Sequence, residues 1–267
     1  MKYEEFPPLP ELADYIQLIW TLESETGDEV FPREQIMPDG IVEIIFHYAD
    51  PFYTYQDGEK FLQPESFAIS MMQKCVEIES SGKTGFVSVR FYPWGAYHFF
   101  SEPVQHFLDR TISTEQLWKA HYGEIMQAVR TAPGTAQKVQ AVQQFLSARL
   151  GEHKKNNSAV DEVMKLIRHE KGLVSIEDIC AKTGFSRKQL ERKFMTSVGT
   201  TPKIFSRISR FLYICHNLKE NNHKSLTQLA YDCGFYDQAH FIKEFKAFSG
   251  FTPKDFFARN NVVFSDL

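Results

Sequence analysis

The sequence predicts an α+β protein of two domains: a small amino-terminal β-barrel or sandwich with flanking helices, and an all-α carboxyl-terminal domain with two helix-turn-helix motifs joined by a linker helix. Three observations lead to this prediction. Apolar residues form short strand-like runs in the first third of the chain and recur at helical spacing after it. One helical pattern occurs twice in the second half, and the charge divides between the halves. At 267 residues, the chain can bury two cores of ordinary size.

Short apolar runs bounded by turn residues predict the strands of the first half. The clearest alternates Val87, Val89 and Phe91 with polar residues. A loop rich in proline, glycine and aromatic residues is expected over 51–63. The expected strands lie near Tyr15–Leu22, Ile41–Tyr48, Phe67–Met71, Cys75–Glu79 and Thr84–Tyr92.

Two helices and a linker are expected to end the first domain. One helix is capped by Ser113 or Thr114, and after a Pro-Gly break a second covers Thr135–Leu150. The polar segment 151–158, which carries glycine and asparagine, is typical of a domain linker. We therefore expect the domains at residues 1–150 and 159–261.

The stretch from Ser175 to Phe256 contains one pattern twice. Each copy has apolar residues at helical spacing, a Gly-Phe pair and a second apolar run, which describes two short helices joined by a tight turn. The glycine supplies the left-handed conformation that ends the first helix. The copies are offset by 50 residues up to the Gly-Phe pair and by 51 after it, so the second copy has one inserted residue. The first copy is Ile176, Ile179, Cys180, Gly184, Phe185, Leu190, Phe194, Gly199, Pro202 and Phe205, and the second is Leu226, Leu229, Ala230, Gly234, Phe235, Phe241, Phe245, Gly250, Pro253 and Phe256.

A helical spacer is expected between the two copies, because the apolar residues of Thr201–Lys219 fall on one stripe. A helix of about 18 residues spans ~27 Å. A rigid spacer of that length can hold two reading helices near the ~34 Å repeat of B-DNA. Each unit would then enter its own major groove on one face of the DNA.

The net charge of −4 divides unevenly along the chain. Residues 158–267 carry 17 lysines and arginines against 12 aspartates and glutamates, whereas residues 1–157 carry 13 against 22. A basic half joined to an acidic half is typical of a DNA-binding domain attached to one that does not bind DNA. The sequence shows no membrane-length apolar run, no signal-peptide pattern and no Cys-x-x-Cys spacing. These features predict a cytoplasmic protein with reduced cysteines and no membrane partner.

With these two patterns, which end in Gly199-Thr-Thr-Pro202 and Gly250-Phe-Thr-Pro253, the second half resembles the AraC/XylS family of bacterial transcription regulators. The resemblance covers about 100 residues, 159–260. It implies a seven-helix domain that binds double-stranded DNA at promoters and, by analogy, acts on RNA polymerase.

The first half resembles an uncharacterised β-rich domain that often precedes such DNA-binding domains. The resemblance is carried by Pro38-Asp-Gly40 before a strand and by Val89-Arg-Phe-Tyr-Pro-Trp-Gly95 before a helix. It implies a cupin-like barrel that binds a small-molecule effector or mediates homodimer formation.

The resemblance of the second half to the AraC/XylS family also implies DNA-contacting positions on the second helix of each unit. Arginine on guanine is the commonest specific base contact, and glutamine suits adenine. The alternative is that these side chains only form a solvated helix face. In the first unit the base-facing positions are Lys188, Glu191 and Arg192, with Ser186 and Arg187 nearer the phosphates. In the second unit the expected DNA-binding residues are Tyr236, Asp237, Gln238, His240 and Lys243.

A ligand pocket is one interpretation of the polar and aromatic residues on the expected strands. Trp20, Glu43, His47, Arg90 and Trp94 combine aromatic faces with charges, which suits a small polar molecule. In the alternative interpretation both tryptophans belong to the core, Glu43 and Arg90 form an ion pair, and nothing binds.

Catalysis has no support in the sequence. There is no His-x-His pair of the kind that binds metal in cupin barrels, no Gly-x-Ser-x-Gly elbow and no phosphate-binding glycine loop. We therefore expect no catalytic residues, no metal and no cofactor. The predicted function is sequence-specific transcription regulation. The rival is a small-molecule-binding or enzymatic β-barrel with the helical half as an interaction appendage.

Overall fold

The first half of the chain folds into two β-sheets that face each other. In the computed structural model, the described residues are 1–26, 29–56, 58–69, 71–101, 103–107, 111–155, 158–220, 225–258 and 262–263. The larger sheet is antiparallel, and its strands lie in the order β1 (Lys2–Phe6), β2 (Ile16–Glu23), β9 (Gly85–Phe91), β4 (Glu43–His47), β7 (Ser66–Ile69) and β10 (Thr111–Ser113).

The smaller sheet has five strands, and one of them comes from the far end of the chain. Its order is β11 (Val262–Val263), β3 (Glu34–Ile36), β8 (Val76–Ser80), β5 (Phe52–Gln56) and β6 (Glu59–Leu62). Strand β11 pairs in parallel with β3, and the other pairs are antiparallel. A short stretch after the helical half thus adds to a sheet of the first half.

The five expected strands correspond to β2, β4, β7, β8 and β9. The loop expected over 51–63 is wrong, because β5 and β6 form a hairpin there with Gly58 at φ +86° in its turn. Its aromatic residues favour strands, and the ammonium of Lys60 lies 3.8 Å from the ring centre of Tyr53. Of the two architectures expected, barrel or sandwich, the structure has the sandwich: among the described residues β1, β10, β6 and β11 remain edge strands, so neither sheet closes.

Three helices cover the outer face of the six-stranded sheet: α1 (Thr114–Trp118), α2 (Tyr122–Thr131) and α3 (Thr135–His153). The Ser113 hydroxyl caps α1 by accepting from the N–H of Glu115, at 3.2 Å. The single helix expected here is wrong, because Lys119 takes a φ of +45° and separates α1 from α2. Helix α3 runs into the segment expected as a linker, and residues 156–157 of that segment lie outside the described residues.

The second half contains seven α-helices among its described residues: α4 (Ser158–His169), α5 (Ile176–Thr183), α6 (Arg187–Val198), α7 (Pro202–Glu220), α8 (Leu226–Asp232), α9 (Gln238–Ser249) and α10 (Pro253–Phe257). The pairs α5–α6 and α8–α9 are the two expected helix-turn-helix units. Their turns contain Gly184 and Gly234, at φ +71° and +72°. Tyr236 is the inserted residue of the second copy, since Ser186 and Asp237 are the equivalent helix caps. Residues 259–261, at the end of the expected domain, lie outside the described residues.

Helix α7 packs between the two units, as expected for the spacer. Phe205, Ile208 and Phe211 are almost fully buried on its apolar stripe. The Phe211 ring centre lies 5.2 Å from that of Phe245 on α9. The guanidinium of Arg207 adds an ion pair with Glu244 of α9, in which Nη2 lies 3.1 Å from Oε2. Packing on two sides therefore holds α7 as a rigid connection.

The two halves also pack against each other. Met37 and Met71, from loops of the sandwich, belong to the same buried cluster as the helical core. The hydroxyl of Tyr97 donates to Asp161 of α4 at 2.8 Å, and the Cys75 thiol donates to the carbonyl oxygen of Ser249 at 3.4 Å. Apolar and polar contacts thus join the sandwich loops to α4, α7 and α9.

We predict that Gly40→Ala destabilises the protein, because the added methyl group would crowd the contact between the two halves. Gly40 has a φ of +72°, and a Cβ there would lie 3.1 Å from Cγ2 of Ile208 on α7. The matched control is Gly58→Ala, because Gly58 has a φ of +86° but nothing within 4 Å of the added Cβ. Left-handed strain costs each variant ~1–2 kcal/mol. Only Gly40→Ala places the added Cβ against α7, so its thermal unfolding midpoint should be several degrees lower than that of Gly58→Ala. Equal midpoints would show that the contact has no energetic weight.

Candidate nucleic-acid interface and ligand cavity

The start of α6 is fixed by a reciprocal cap. The Ser186 hydroxyl accepts from the N–H of Gln189 at 3.3 Å, and the Gln189 side-chain oxygen accepts from the N–H of Ser186 at 2.9 Å. Capping boxes of this kind satisfy two backbone donors at a helix start. Leu190 and Phe194 are fully buried, so the opposite face of α6 points outward.

The outward face of α6 carries the basic side chains expected there. Arg187, Lys188 and Arg192 are exposed. Arg187 forms an i,i+4 ion pair with Glu191, Nε to Oε1 at 3.2 Å. Lys188 and Arg192 form no ion pair with the side chains that the structure describes. They leave a net positive charge on this face.

Helix α9 presents the second set of expected residues. Asp237 is its cap and accepts from the N–H of His240 at 2.7 Å. Gln238 accepts from the hydroxyl of Thr227 on α8 at 3.0 Å, so its side chain ties the two helices of the unit together. Tyr236 is 88% exposed, and Lys243 is exposed one turn further along than His240. All five expected residues lie on the open side of the unit.

A cavity of about 800 Å³ lies between the two sheets. Four of the five residues proposed for a ligand pocket line it: Trp20, Glu43, His47 and Arg90. Trp94 is not among the lining residues. Its ring stacks on Tyr92 at 4.8 Å between centres, and its indole N–H donates to the carbonyl oxygen of Asp14 at 3.0 Å. Trp94 therefore belongs with the packing between the halves, where the ammonium of Lys165 lies 5.4 Å from its ring centre.

Glu43 is the centre of a polar network in the cavity wall. Its Oε1 accepts from the indole N–H of Trp20 at 2.8 Å and from the hydroxyl of Ser88 at 2.6 Å. Its Oε2 lies 3.6 Å from Nη2 of Arg90. The ion pair considered from sequence is therefore present, and it lies in the wall of a cavity. Burial lowers the pKa of the Arg90 guanidinium, whereas the negative charge of Glu43 raises it. The net effect is a raised pKa.

His47 is a buried neutral histidine at the same cavity. Its Nε2 lies 3.2 Å from Oε1 of Gln63, whose amide N–H₂ donates to the Thr54 hydroxyl at 2.9 Å. Because Gln63 presents its carbonyl oxygen, Nε2 carries the proton and Nδ1 is an acceptor. Nδ1 is buried and has no hydrogen-bond partner among the described residues. Burial lowers the pKa of His47 to about 4, so the ring is uncharged near neutral pH.

Sequence reasoning missed several residues of the cavity wall. Phe31, Phe52 and Phe86 line it with Trp20, and the ring centres of Trp20 and Phe86 lie 5.0 Å apart. Glu34 lines it from β3. Phe52 fell in the segment expected as a loop, and Glu34 belongs to a three-residue strand too short for an alternating pattern. Phe86 could have been found from the sequence, because it lies in the alternating pattern of Thr84–Tyr92.

The described residues contain no cluster of three histidine, cysteine, aspartate or glutamate side chains that could hold a metal ion. The four cysteines carry free thiols. In the part of the chain that the structure describes, no helix combines the length and the hydropathy needed to span a membrane.

We predict that His47 makes the fold sensitive to acid. Its pKa is about 4 in the folded protein and about 6.5 in the unfolded chain, so the unfolded chain takes up the proton first. Stability present above about pH 6.5 is then lost as the pH falls toward 4, by ~2.5 kcal/mol at about pH 4.5. Urea unfolding measures this loss. Between about pH 7 and 4.5, the free energy of unfolding of His47→Gln should fall by ~2.5 kcal/mol less than that of the parent protein.

His169→Gln is the control for this measurement, since His169 is 82% exposed on α4. It should keep the acid sensitivity of the parent protein. If His47→Gln were equally acid-sensitive, the proton uptake would have to come from another group.

Comparison with protein families matches each half separately. Residues 179–259 match the helix-turn-helix domain family HTH_18, and residues 4–113 match the family DUF6597, a domain of unknown function. The first match covers both units, from α5 to the end of α10. The second covers both sheets of the sandwich apart from β11 and the start of β1.

Among curated relatives, the HTH-type transcriptional activator RhaS of Salmonella schwarzengrund is 29% identical over 101 residues. The match spans 38% of this chain and 36% of RhaS, about a third of that protein's length. RhaS of Salmonella arizonae gives 28% over the same length.

Among solved structures, ToxT from Vibrio cholerae aligns over 96% of this chain and 98% of its own, at 12% identity and a TM-score of 0.47. Its complex with an unsaturated fatty acid aligns over 92% and 96%, at 14% and 0.46. The chain is therefore similar to a helix-turn-helix domain family in its helical half and to the family DUF6597 in its sandwich.

Proposed function

We propose that this protein is a sequence-specific, DNA-binding transcription regulator. One observation carries the proposal: two equivalent helix-turn-helix units on one chain each present a capped, solvent-exposed second helix. Second helices of this kind read base edges in the major groove. The matched relatives are transcriptional activators, which favours regulation over catalysis.

The side chains on the two helices divide into different roles in this proposal. Lys188 and Arg192 are exposed cations on α6 that form no ion pair with a described side chain, and they suit guanine edges or phosphate oxygens. On α9, Lys243 supplies charge, and Tyr236 and His240 add exposed polar groups. Ser186, Asp237 and Gln238 already hold helix starts in place, so we assign them a positioning role first.

The proposal includes a small-molecule effector in the cavity of the sandwich. Met37 lines the cavity and also belongs to the buried cluster that includes α7. Cys75 follows the lining residue Lys74 and contacts Ser249 at the end of α9. Displacement of either loop by a ligand would therefore be transmitted to the helices that carry the reading residues.

Action on RNA polymerase and pairing with a second copy of the chain complete the proposal, on the strength of the family resemblance. A regulator acts where the chromosome is, so the proposed activity is cytoplasmic.

Selection of genomic fragments by the full-length protein, followed by footprinting on the enriched fragments, tests the proposal. Because phosphate contacts dominate such complexes, affinity should fall by orders of magnitude between about 50 and 200 mM salt. If α7 holds the two units as a rigid pair, one chain should protect two patches about 10 base pairs apart on one DNA face. A footprint with no sequence preference would refute the proposal. A single patch per chain would leave α9 with a structural role.

Arg192→Ala should relax base preference at one position. Loss of a bidentate arginine contact costs ~1–3 kcal/mol and shows in the selected sequences as a degenerate base pair. Lys171→Asn is the control: Lys171 lies outside both reading helices, with its ammonium 4.3 Å from the ring centre of Tyr213. Its φ is +56°, a conformation that asparagine tolerates. Selection with the control should return the parental sequence. The same sequence from Arg192→Ala would remove that residue from the interface.

A further inference from the structure

The cavity of the sandwich has walls of a definite chemical character, which restrict its ligand. Strands β2, β4 and β9 present alternate residues to it from one sheet, and β3, β5 and β8 from the other. The volume of about 800 Å³ falls in the usual range for small-molecule sites. The apolar part of the lining includes five aromatic rings, which belong to Tyr3, Trp20, Phe31, Phe52 and Phe86.

The charged lining residues carry an excess of negative charge. In the part of the chain that the structure describes, four carboxylates line the cavity, Glu5, Glu34, Asp39 and Glu43, against two cations, Lys74 and Arg90. With His47 neutral, the sum is −2. A ligand anion entering this space would meet this excess of negative charge, whereas a cation would reduce it.

Glu34 is a lining carboxylate without a partner among the described side chains. Glu43 lies 3.6 Å from Arg90, and Glu5 accepts from the Tyr3 hydroxyl at 2.5 Å. Glu34, in contrast, forms no hydrogen bond or ion pair through its side chain with any described residue. Burial raises its pKa, and no neighbouring cation lowers it again. A bound ammonium group would supply the missing partner.

The aromatic rings that line the same cavity favour the same kind of ligand. Phe31 and Phe52 lie 5.2 Å apart between centres, and Phe52 and Phe86 lie 5.9 Å apart. Faces of such rings attract cations, and their edges and faces pack flat aromatic molecules. One ligand can therefore place a ring among them and a positive charge beside a carboxylate.

His47 adds a requirement for a hydrogen-bond donor. It is 1% exposed, and its acceptor Nδ1 lacks a partner among the described residues. Its ring centre lies 5.7 Å from those of both Phe52 and Phe86. A hydroxyl or N–H on a ring packed there matches Nδ1. The Nε–H of Arg90 also lacks a partner, and it suits a neutral oxygen because Glu43 already offsets the guanidinium charge.

We propose that the cavity binds an aromatic amine that is protonated at neutral pH and carries a second hydrogen-bond donor on its ring. Glu34 pairs with the ammonium group, the phenylalanine cluster holds the ring, and Nδ1 of His47 accepts from the ring substituent. The inference rests on the proposed effector role of the cavity. It names the chemical class of that effector.

A matched series of indoles tests the class by calorimetry on the full-length protein. The probes are 5-hydroxytryptamine, the neutral 5-hydroxytryptophol, the anionic 5-hydroxyindole-3-acetate, and tryptamine, which lacks the hydroxyl. We expect the amine to bind at least about tenfold more tightly than the alcohol, and the acid to bind most weakly. Tryptamine should bind more weakly than 5-hydroxytryptamine. An acid that binds as tightly as the amine, or no binding by any of the four, would overturn the proposal.

Glu34→Gln provides the matched variant. It should reduce affinity for 5-hydroxytryptamine about tenfold, to the level of the alcohol, and leave the alcohol unchanged. Glu77→Gln is the control, because Glu77 lies on neighbouring β8, pairs with Arg33 and is not among the cavity-lining residues. It should bind all four probes as the parent does. Equal loss in both variants would assign the preference to general charge and refute the role of Glu34.

The same protein in a gel-shift experiment separates this proposal from the broader one. If the full-length chain binds 5-hydroxytryptamine but retains no DNA, the ligand class stands and the regulatory role fails. If it binds a selected fragment but prefers the acid, the regulatory role stands and the ligand class fails.

Discussion

Burial of helix α7 is the constraint on which both halves of the molecule depend. One stripe of this helix supplies Phe205, Ile208 and Phe211 to the core that supports both helix-turn-helix units. The same region of α7 lies against Gly40 of the sandwich. Because protein interiors are close-packed, neither unit can change its angle to α7 without disturbing that core. The orientation of the reading helices and the placement of the sandwich loops are therefore linked.

The cavity wall shows how polar groups are tolerated inside a sheet sandwich. Glu43 is satisfied by three neighbours, including Trp20 and Ser88, whereas Nδ1 of His47 and Nε of Arg90 have no hydrogen-bond partner among the described residues. Buried polar groups without partners cost stability. Both atoms belong to residues that line one space, with aromatic rings beside them.

The sequence was most informative where a local rule decides the structure. The repeated Gly-Phe pattern located both turns, since Gly184 and Gly234 need a left-handed backbone. Five strands were predictable from short apolar runs bounded by turn residues, and one of these runs also alternates. Strands β3 and β10 were not, because three residues are too few to show a period, and β11 was not, because only pairing with a distant strand creates it. The cavity was predictable in four of its residues, but not in the partners that matter chemically, since the opposing sheet brings Glu34 and Phe52 to it.

The close fit of Gly40 against α7 has a consequence for how such proteins can be recombined. A sandwich transplanted onto another helix-turn-helix half would bring Met37, Met71 and Gly40 against a helix whose side chains had not been selected to meet them. Chimeras joined at the segment after α3 should therefore express poorly or lose the proposed control by an effector unless these loops are transferred with their own α7. In a lineage, the two halves are expected to diverge as one unit, with changes in the loops matched by changes on the helix.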